Sequence, residues 1–354
     1  MTDCKHHTGY RPCKGTLPCP CDQYQERGPQ VLIVRPYHPG NIVKSTPIVE
    51  AVFQKWPDAD LSWLVAAPGH ELLKDPRINV IRIDDPADLA FCQQKRWDTV
   101  LSLDVDRRAV AVASTLLADS LIGYTLDGHA RIGYNCSQFE YIYQLGIDNH
   151  LRFEVNRKPL HELYFEMLDV PYAGQEYSVT VGIEREYIHR DSRPLVGLYV
   201  GGEMSRFSTK AWPYSHWKRL NRLLIDNGMQ PVALGGESDE GIVGALALQG
   251  AERLPAGLSV GEFVASLGQF DCVVATDCFG LHAAVSQRVP VVSLHGPTPS
   301  WEAPLFGRWM QLVAECGPCY KRTAEECGKG AGCMAGIGSD RVLDAVKAVA
   351  HGIL

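Results

Sequence analysis

Short apolar runs alternate with amphipathic segments along most of this chain, and that alternation most constrains its fold. Val31-Leu32-Ile33-Val34 is followed by a turn through Pro36, Pro39 and Gly40, which suits a strand buried on both faces. Thr46 and Pro47 read as the cap and first turn of a helix that carries Ile48, Val49, Ala51, Val52 and Phe53 and stops near Trp56-Pro57. Leu61 to Val65, Val80 to Ile83 and Thr99 to Leu103 read as further strands, the last ending at Asp104. The pattern restarts after residue 190. Strands are expected at Leu195 to Val200, Pro231 to Leu234, Cys272 to Ala275 and Val289 to Leu294, with helices at Trp217 to Asn227 and Leu281 to Gln287. Strand and helix in alternation imply parallel sheets covered by helices.

The 354 residues fit about two domains at roughly 100–200 residues each. The expected division is an arm at 1–30, an N-terminal α/β domain at 31–190 and a C-terminal one at 191–354. A charged stretch ending in Asp191-Ser192-Arg193-Pro194 serves as the linker. Apolar residues at 45% and charged residues at 21% are globular usage, which excludes disorder as the main state. The net charge of −7 gives no electrostatic footprint for nucleic acid, so none is expected as a partner. No apolar run reaches the ~18 residues of a membrane span, and Met1 to His7 lacks the apolar segment of a signal peptide. A cytoplasmic location is therefore expected.

Glycine-bearing turns follow several strands: Pro39-Gly40, Gly201-Gly202, Gly235-Gly236 and Gly296-Pro297. Ligands of open α/β sheets bind beyond the carboxyl ends of strands. Gly201 precedes Ser208-Thr209-Lys210-Ala211-Trp212-Pro213, where Lys210 offers a point charge suited to phosphate. The same residues also fit a surface loop with a Trp-Pro packing corner. Thr276-Asp277-Cys278-Phe279-Gly280-Leu281-His282 places an acid, a glycine and a histidine at a helix start, where an anion would be favoured. Asp277 would otherwise simply cap that helix. Glu237, just past a strand, is placed to bind ribose hydroxyls or to lie in an acidic first turn. Neither G-x-G-x-x-G nor G-x-x-x-x-G-K-[ST] occurs at these turns, which disfavours a dinucleotide dehydrogenase and a P-loop enzyme.

Together these segments resemble glycosyltransferase family 9, the ADP-heptose heptosyltransferases. Pro39-Gly40-Asn41-Ile42-Val43-Lys44-Ser45-Thr46-Pro47 is similar to that family's Gly-Asp-x-x-x-x-Thr-Pro turn. Lys210-Ala211-Trp212-Pro213 is similar to its Lys-x-Trp-Pro signature. Leu234-Gly235-Gly236-Glu237 resembles its nucleotide-side turn. Asp277 to His282, followed by Val289 to Val292 and His295-Gly296-Pro297-Thr298, resembles its donor-binding strand–helix–strand. The resemblance spans residue 31 to about 345. It implies a GT-B fold: two Rossmann-like domains with parallel sheets facing a central cleft, plus the Cys-rich N-terminal arm. It also implies inverting transfer of a heptose or related sugar from an ADP-sugar donor, with no catalytic metal. Lys210 would contact the donor phosphates with Thr209 assisting. Gly201, Asp277 and the backbone of Gly280, Leu281 and His282 would hold the donor, and Glu237 would take the ribose.

The chain departs from the family pattern at Asn41, where the family's base is an aspartate. A neutral amide orients an acceptor but takes no proton. The base is therefore expected at Asp104 first, Asp106 second, with His38 as an outsider. Phe279 stands where the family more often has glycine, which reshapes the donor turn. The acceptor could be lipopolysaccharide core, a protein or a metabolite. A lipid-linked acceptor would bring peripheral contact with the inner membrane. A silent nucleotide-sugar-binding or metal-bound scaffold of the same fold is the alternative that Asn41 supports; a nucleotide-sugar epimerase fits the Lys-x-Trp-Pro pattern poorly.

Twelve cysteines complete the pattern. Cys316, Cys319, Cys327 and Cys333 form a compact set with the spacing of a four-thiolate zinc or iron site. Cys4, Cys13, Cys19 and Cys21 in the arm form a second candidate set. Either would be a closed, structural site. Some protein-heptosylating relatives look similar in using cysteines near the first set for structural iron. The arm also offers a route to homo-oligomers.

Overall fold

The structure, a computed structural model, describes residues 4–7, 24–181, 185–201, 207–303, 306–328 and 332–350. The chain divides into two compact units. The first comprises Met1–Tyr37, Ile48–Gln144 and Tyr164–Ala173; the second comprises His38–Pro47, Leu145–Leu163 and Gly174–Leu354. The segment 38–47 thus clusters with the C-terminal part of the chain.

The first unit carries β1 (Gln30–Val34), β2 (Asp60–Val65), β3 (Ile78–Arg82), β4 (Arg96–Ser102), β5 (Leu117–Leu126) and β6 (Ile132–Tyr134). They form one sheet in the order β3-β2-β1-β4-β5-β6. β1 to β5 are parallel, and β6 is antiparallel to β5. Val31 lies opposite Leu61 on one side and Thr99 on the other, so β1 is central. Every residue of β1 is buried, as its unbroken apolar run requires. Leu32, Val34, Leu64, Trp97 and Val100 form the core of one face under the helix Pro86–Gln94.

The second unit carries β7 (Leu195–Tyr199), β8 (Gln230–Leu234), β9 (Glu252–Arg253), β10 (Cys272–Thr276), β11 (Val291–His295) and β12 (Trp309–Val313). Their order is β12-β11-β10-β7-β8-β9, all parallel. Counted from β7, this is the doubly wound order of the first sheet, and both have the Rossmann arrangement. The strand order reverses between β1 and β4 in one sheet and between β7 and β10 in the other. The core of the second unit includes Trp212, Trp217, Leu220, Val274 and Val346. Trp212 and Trp217 meet edge to face at 4.7 Å.

One expectation fails at the first turn. Thr46 does not cap the following helix. The turn Pro39–Ser45 is itself helical, with Pro39 in its first turn, and a separate helix runs Ile48–Lys55. Proline's fixed φ suits a helix start. The Thr46 hydroxyl instead donates back to the Val43 carbonyl at 2.8 Å and accepts the Ser178 amide at 2.9 Å. Among the described residues no helix is long and apolar enough to cross a membrane.

Candidate functional site

The second sheet's reversal point gathers the residues that carry chemistry. Asp277 follows β10 directly. Its carboxylate accepts from the Lys210 ammonium at 2.9 Å, and Lys210 also reaches the Asp277 carbonyl at 3.1 Å. The sequence left open whether Asp277 caps the next helix. It does not: the cap position of the helix Phe279–Ser286 is Cys278, and the Asp277 side chain points to Lys210 and His282. The Trp-Pro step explains why Lys210 sits where it does. The Trp212 indole is buried and donates to the Ile337 carbonyl at 2.8 Å, which fixes the chain just after the lysine.

Burial pushes the Asp277 carboxyl up, yet the Lys210 charge and the His282 hydrogen bond hold it well below the usual carboxylate range. Burial likewise opposes the Lys210 charge, and Asp277 outweighs it, so the ammonium is raised. His282 is buried at 3% exposure, and burial lowers it to about 4 despite Asp277 at 3.4 Å. At neutral pH it is an uncharged imidazole that donates Nε2–H to Asp277. Its Nδ1 is buried and has no hydrogen-bond partner among the described residues. Such an atom is costly to leave unpaired, and a ligand hydroxyl would satisfy it.

The remaining donor candidates fall around this pair. Thr209 is buried, and its hydroxyl donates to the Lys321 carbonyl at 2.5 Å. Gly201 follows β7 and packs under the Asp239 side chain. Gly202 lies outside the described residues. Glu237 is exposed in the short turn Glu237–Asp239 after β8, free to reach a ligand edge. Gly280 lies against the Tyr199 ring, and Leu281 is in the core.

The candidates for the base lie elsewhere. Asp104 follows β4 and is 2% exposed. Its two oxygens accept from the backbone amides of Tyr37 at 3.3 Å and Asp106 at 3.0 Å, and the Arg35 guanidinium is 3.8 Å away. It knits the ends of β1 and β4 together. Asp106 caps the helix Arg107–Ala113 and pairs with Arg108 at 3.0 Å, keeping 24% of its side chain exposed. Asn41 lies in the first turn of the helix Pro39–Ser45, half-buried, and its amide donates to the His38 carbonyl. His38 is exposed and takes a positive φ of 63°. Replacing Asp104 by Ala is expected to destabilise the protein by about 3 kcal/mol, because a buried guanidinium loses its counter-charge and two amides lose their acceptor. Urea unfolding measures this.

Three positions escaped the sequence reading. Lys44 acts electrostatically on Asp277 and His282. Asp239 accepts the Gly236 amide at 2.8 Å. Tyr320 packs edge to face on Phe207 at 5.3 Å, beside Lys210. Lys44 had no signal because the segment 39–45 reads as a turn; its place one helical turn after Gly40 emerges only in the structure.

The cysteine sets divide. Cys13, Cys19 and Cys21 lie outside the described residues; Cys4 is buried in a bridge to Glu26. In the other set the Cys333 thiol is pushed up to about 11, by burial first and then by the hydrogen-bonded Cys316 and nearby Cys327. Among the described residues no three His, Cys, Asp or Glu side chains are arranged to hold a metal ion. Cys316 and Cys327 lie beside Cys333. The segment they belong to is tied to the turn that precedes Lys210 and to Pro297: Thr209 donates its amide to the Arg322 carbonyl, and the Cys319 and Tyr320 amides donate to the Pro297 carbonyl.

Two doubly wound sheets define a Rossmann-type α/β protein, and the lysine–carboxylate pair at a reversal point marks its candidate ligand site. The family profile described as Glycosyltransferase family 9 (heptosyltransferase) matches residues 93–329, more than half of the chain. The chain belongs to glycosyltransferase family 9. It is 30% identical over 125 residues to lipooligosaccharide heptosyltransferase 2 of Haemophilus ducreyi, covering 32% of this chain and 35% of that protein. It is 29% identical over 168 residues to lipopolysaccharide heptosyltransferase 1 of Pseudomonas aeruginosa, covering 46% of each. The chain thus spans less than half the length of these curated relatives. Among solved structures, E. coli ADP-heptose lps heptosyltransferase II superposes with a TM-score of 0.68 at 18% identity, over 91% of this chain and 99% of that one. The iron-containing dodecameric glycosyltransferase TibC of E. coli superposes at 0.59 and 13% identity, over 92% and 77%. The fold is the GT-B fold of these transferases.

Proposed function

We propose that this chain is an inverting glycosyltransferase that moves heptose, or a related sugar, from an ADP-sugar to a hydroxyl acceptor. The observation that carries the reading is the buried Lys210–Asp277–His282 constellation at the reversal point of the second sheet. Lys210 would meet the diphosphate as it departs, and His282 Nδ1 would accept from a donor-sugar hydroxyl. Glu237 would take the ribose. The acceptor oxygen bonds to the anomeric carbon as the carbon–oxygen bond to the diphosphate breaks, and ADP leaves with the electron pair. The acceptor's proton passes to a base.

Asn41 cannot take that proton, so the role goes to the carboxylates after β4. Both carboxylates are engaged, Asp106 by Arg108 and Asp104 by two backbone amides, but Asp106 keeps 24% of its side chain exposed whereas Asp104 is buried. Both curated relatives carry lipopolysaccharide or lipooligosaccharide in their names, which makes that core the first acceptor to try. A lipid-linked acceptor places the work at the cytoplasmic face of the inner membrane. Cys316, Cys319, Cys327 and Cys333 would together bind one structural zinc or iron. That ion would brace the segment behind Lys210 and supply no step.

The test is release of ADP from ADP-heptose with a heptose-deficient lipopolysaccharide core, on protein assayed for zinc and iron. Turnover is expected, with Asp106→Asn losing it while ADP binding persists. ADP binding without turnover on lipopolysaccharide, protein or metabolite acceptors would establish the silent scaffold instead.

A further inference from the structure

The helix Pro39–Ser45 packs on the helix Phe279–Ser286 more closely than a side chain would allow. A Cβ on Gly40 would stand 3.3 Å from the Phe279 Cα and 3.7 Å from the His282 ring. Gly40 therefore faces the donor helix, and the residue one turn later on the same face is Lys44. The far end of the short helix is held by the Ser178 amide on the Thr46 hydroxyl. Lys44 is thus presented toward Asp277 and His282 by a helix fixed at both ends. It is half-buried, and both of those side chains feel its charge.

The charge balance of the site gives that lysine a task. Lys210 and Asp277 neutralise each other at 2.9 Å. The imidazoles of His282 and His295 are buried and uncharged at neutral pH. A diphosphate bound there would meet little net positive charge from these four groups. The helix that carries Lys44 has no acidic residue in its first turn, because position 41 is Asn.

We infer that Lys44 is a second donor-binding cation, which adds its charge to that of Lys210 at the diphosphate of a nucleoside diphosphate sugar. The inference rests on the donor reading of the Lys210–Asp277 site and adds a residue to it. Lysine on the short helix also links the turn that orients the acceptor to the helix that holds the donor.

The experiment is calorimetric titration of ADP, AMP and adenosine into the wild type, Lys44→Gln, Lys44→Arg and Lys210→Gln, each checked for an unchanged melting temperature. Lys44→Gln is expected to weaken ADP about tenfold or more, AMP less, and adenosine less than twofold. Lys44→Arg restores most of the ADP affinity. The wild type should lose ADP affinity with added salt more steeply than Lys44→Gln. ADP binding by Lys44→Gln within twofold of wild type, while Lys210→Gln loses it, would overturn the inference and leave the donor reading standing. Absence of ADP binding by the wild type would overturn both.

Discussion

Lys210→Ala is expected to lower kcat/KM by about 10²–10³-fold and to weaken ADP by a comparable factor, since a fixed charge aimed at the leaving group is lost. The substitution also leaves Asp277 buried without its cation, which costs about 3 kcal/mol of stability. The pH dependence separates the two effects. The Asp277 carboxyl is depressed in the folded protein, because the Lys210 charge and the His282 bond outweigh burial. A depressed carboxyl contributes stability that is fully present above its unfolded value, about 4, and is lost as the pH falls through the lower folded value. Without Lys210 the folded carboxyl rises, so the acid limb of the stability curve flattens and wild type and variant converge at low pH. Chemical denaturation between pH 7 and pH 3 reads this directly. Parallel curves, with a constant gap, would show that the pair is not electrostatically coupled.

Gly280→Ala is the second large effect. A Cβ there would stand 2.4 Å from the Tyr199 ring, itself 8% exposed and unable to swing away. The ring and the donor helix must part, at a cost of about 1–3 kcal/mol for overpacking. The helix start carries Cys278, Phe279 and, two residues on, His282, so displacement also moves Nδ1 away from any ligand. A fall in melting temperature together with loss of ADP binding is expected. Retained ADP affinity in a destabilised variant would show that the helix start is not part of the donor site.

Much of the architecture is legible in the residues because it depends on local patterns. The unbroken apolar runs at Val31 to Val34 and Cys272 to Ala275 could only be doubly buried strands, and they are the central strands of the two sheets. β5, β6, β9 and β12 were not anticipated. They lie toward the sheet edges, where burial is partial and the apolar pattern is diluted by exposed residues. The helix Pro39–Ser45 was read as a turn because its proline and glycine are ordinarily turn residues. Here proline starts a helix and glycine permits contact with Phe279, a reason that lies 239 positions further along the chain (279 − 40).

The site divides in the same way. The sequence alone determined which groups are available: Lys210 beside a Trp-Pro corner, Asp277 and His282 around a helix start, Asn41 in place of an acid, and thiols clustered at both ends. Residue types and short spacings are local, and no folding is needed to read them. Only the tertiary structure decided what each group does. It paired Asp277 with Lys210 across 67 positions, left His282 Nδ1 without a partner among the described residues, engaged the Asp104 oxygens with backbone amides and brought Lys44 within electrostatic reach of Asp277. The physical reason is that protonation state and partner depend on burial and on charges a few ångströms away, and both are set by chain segments distant in sequence.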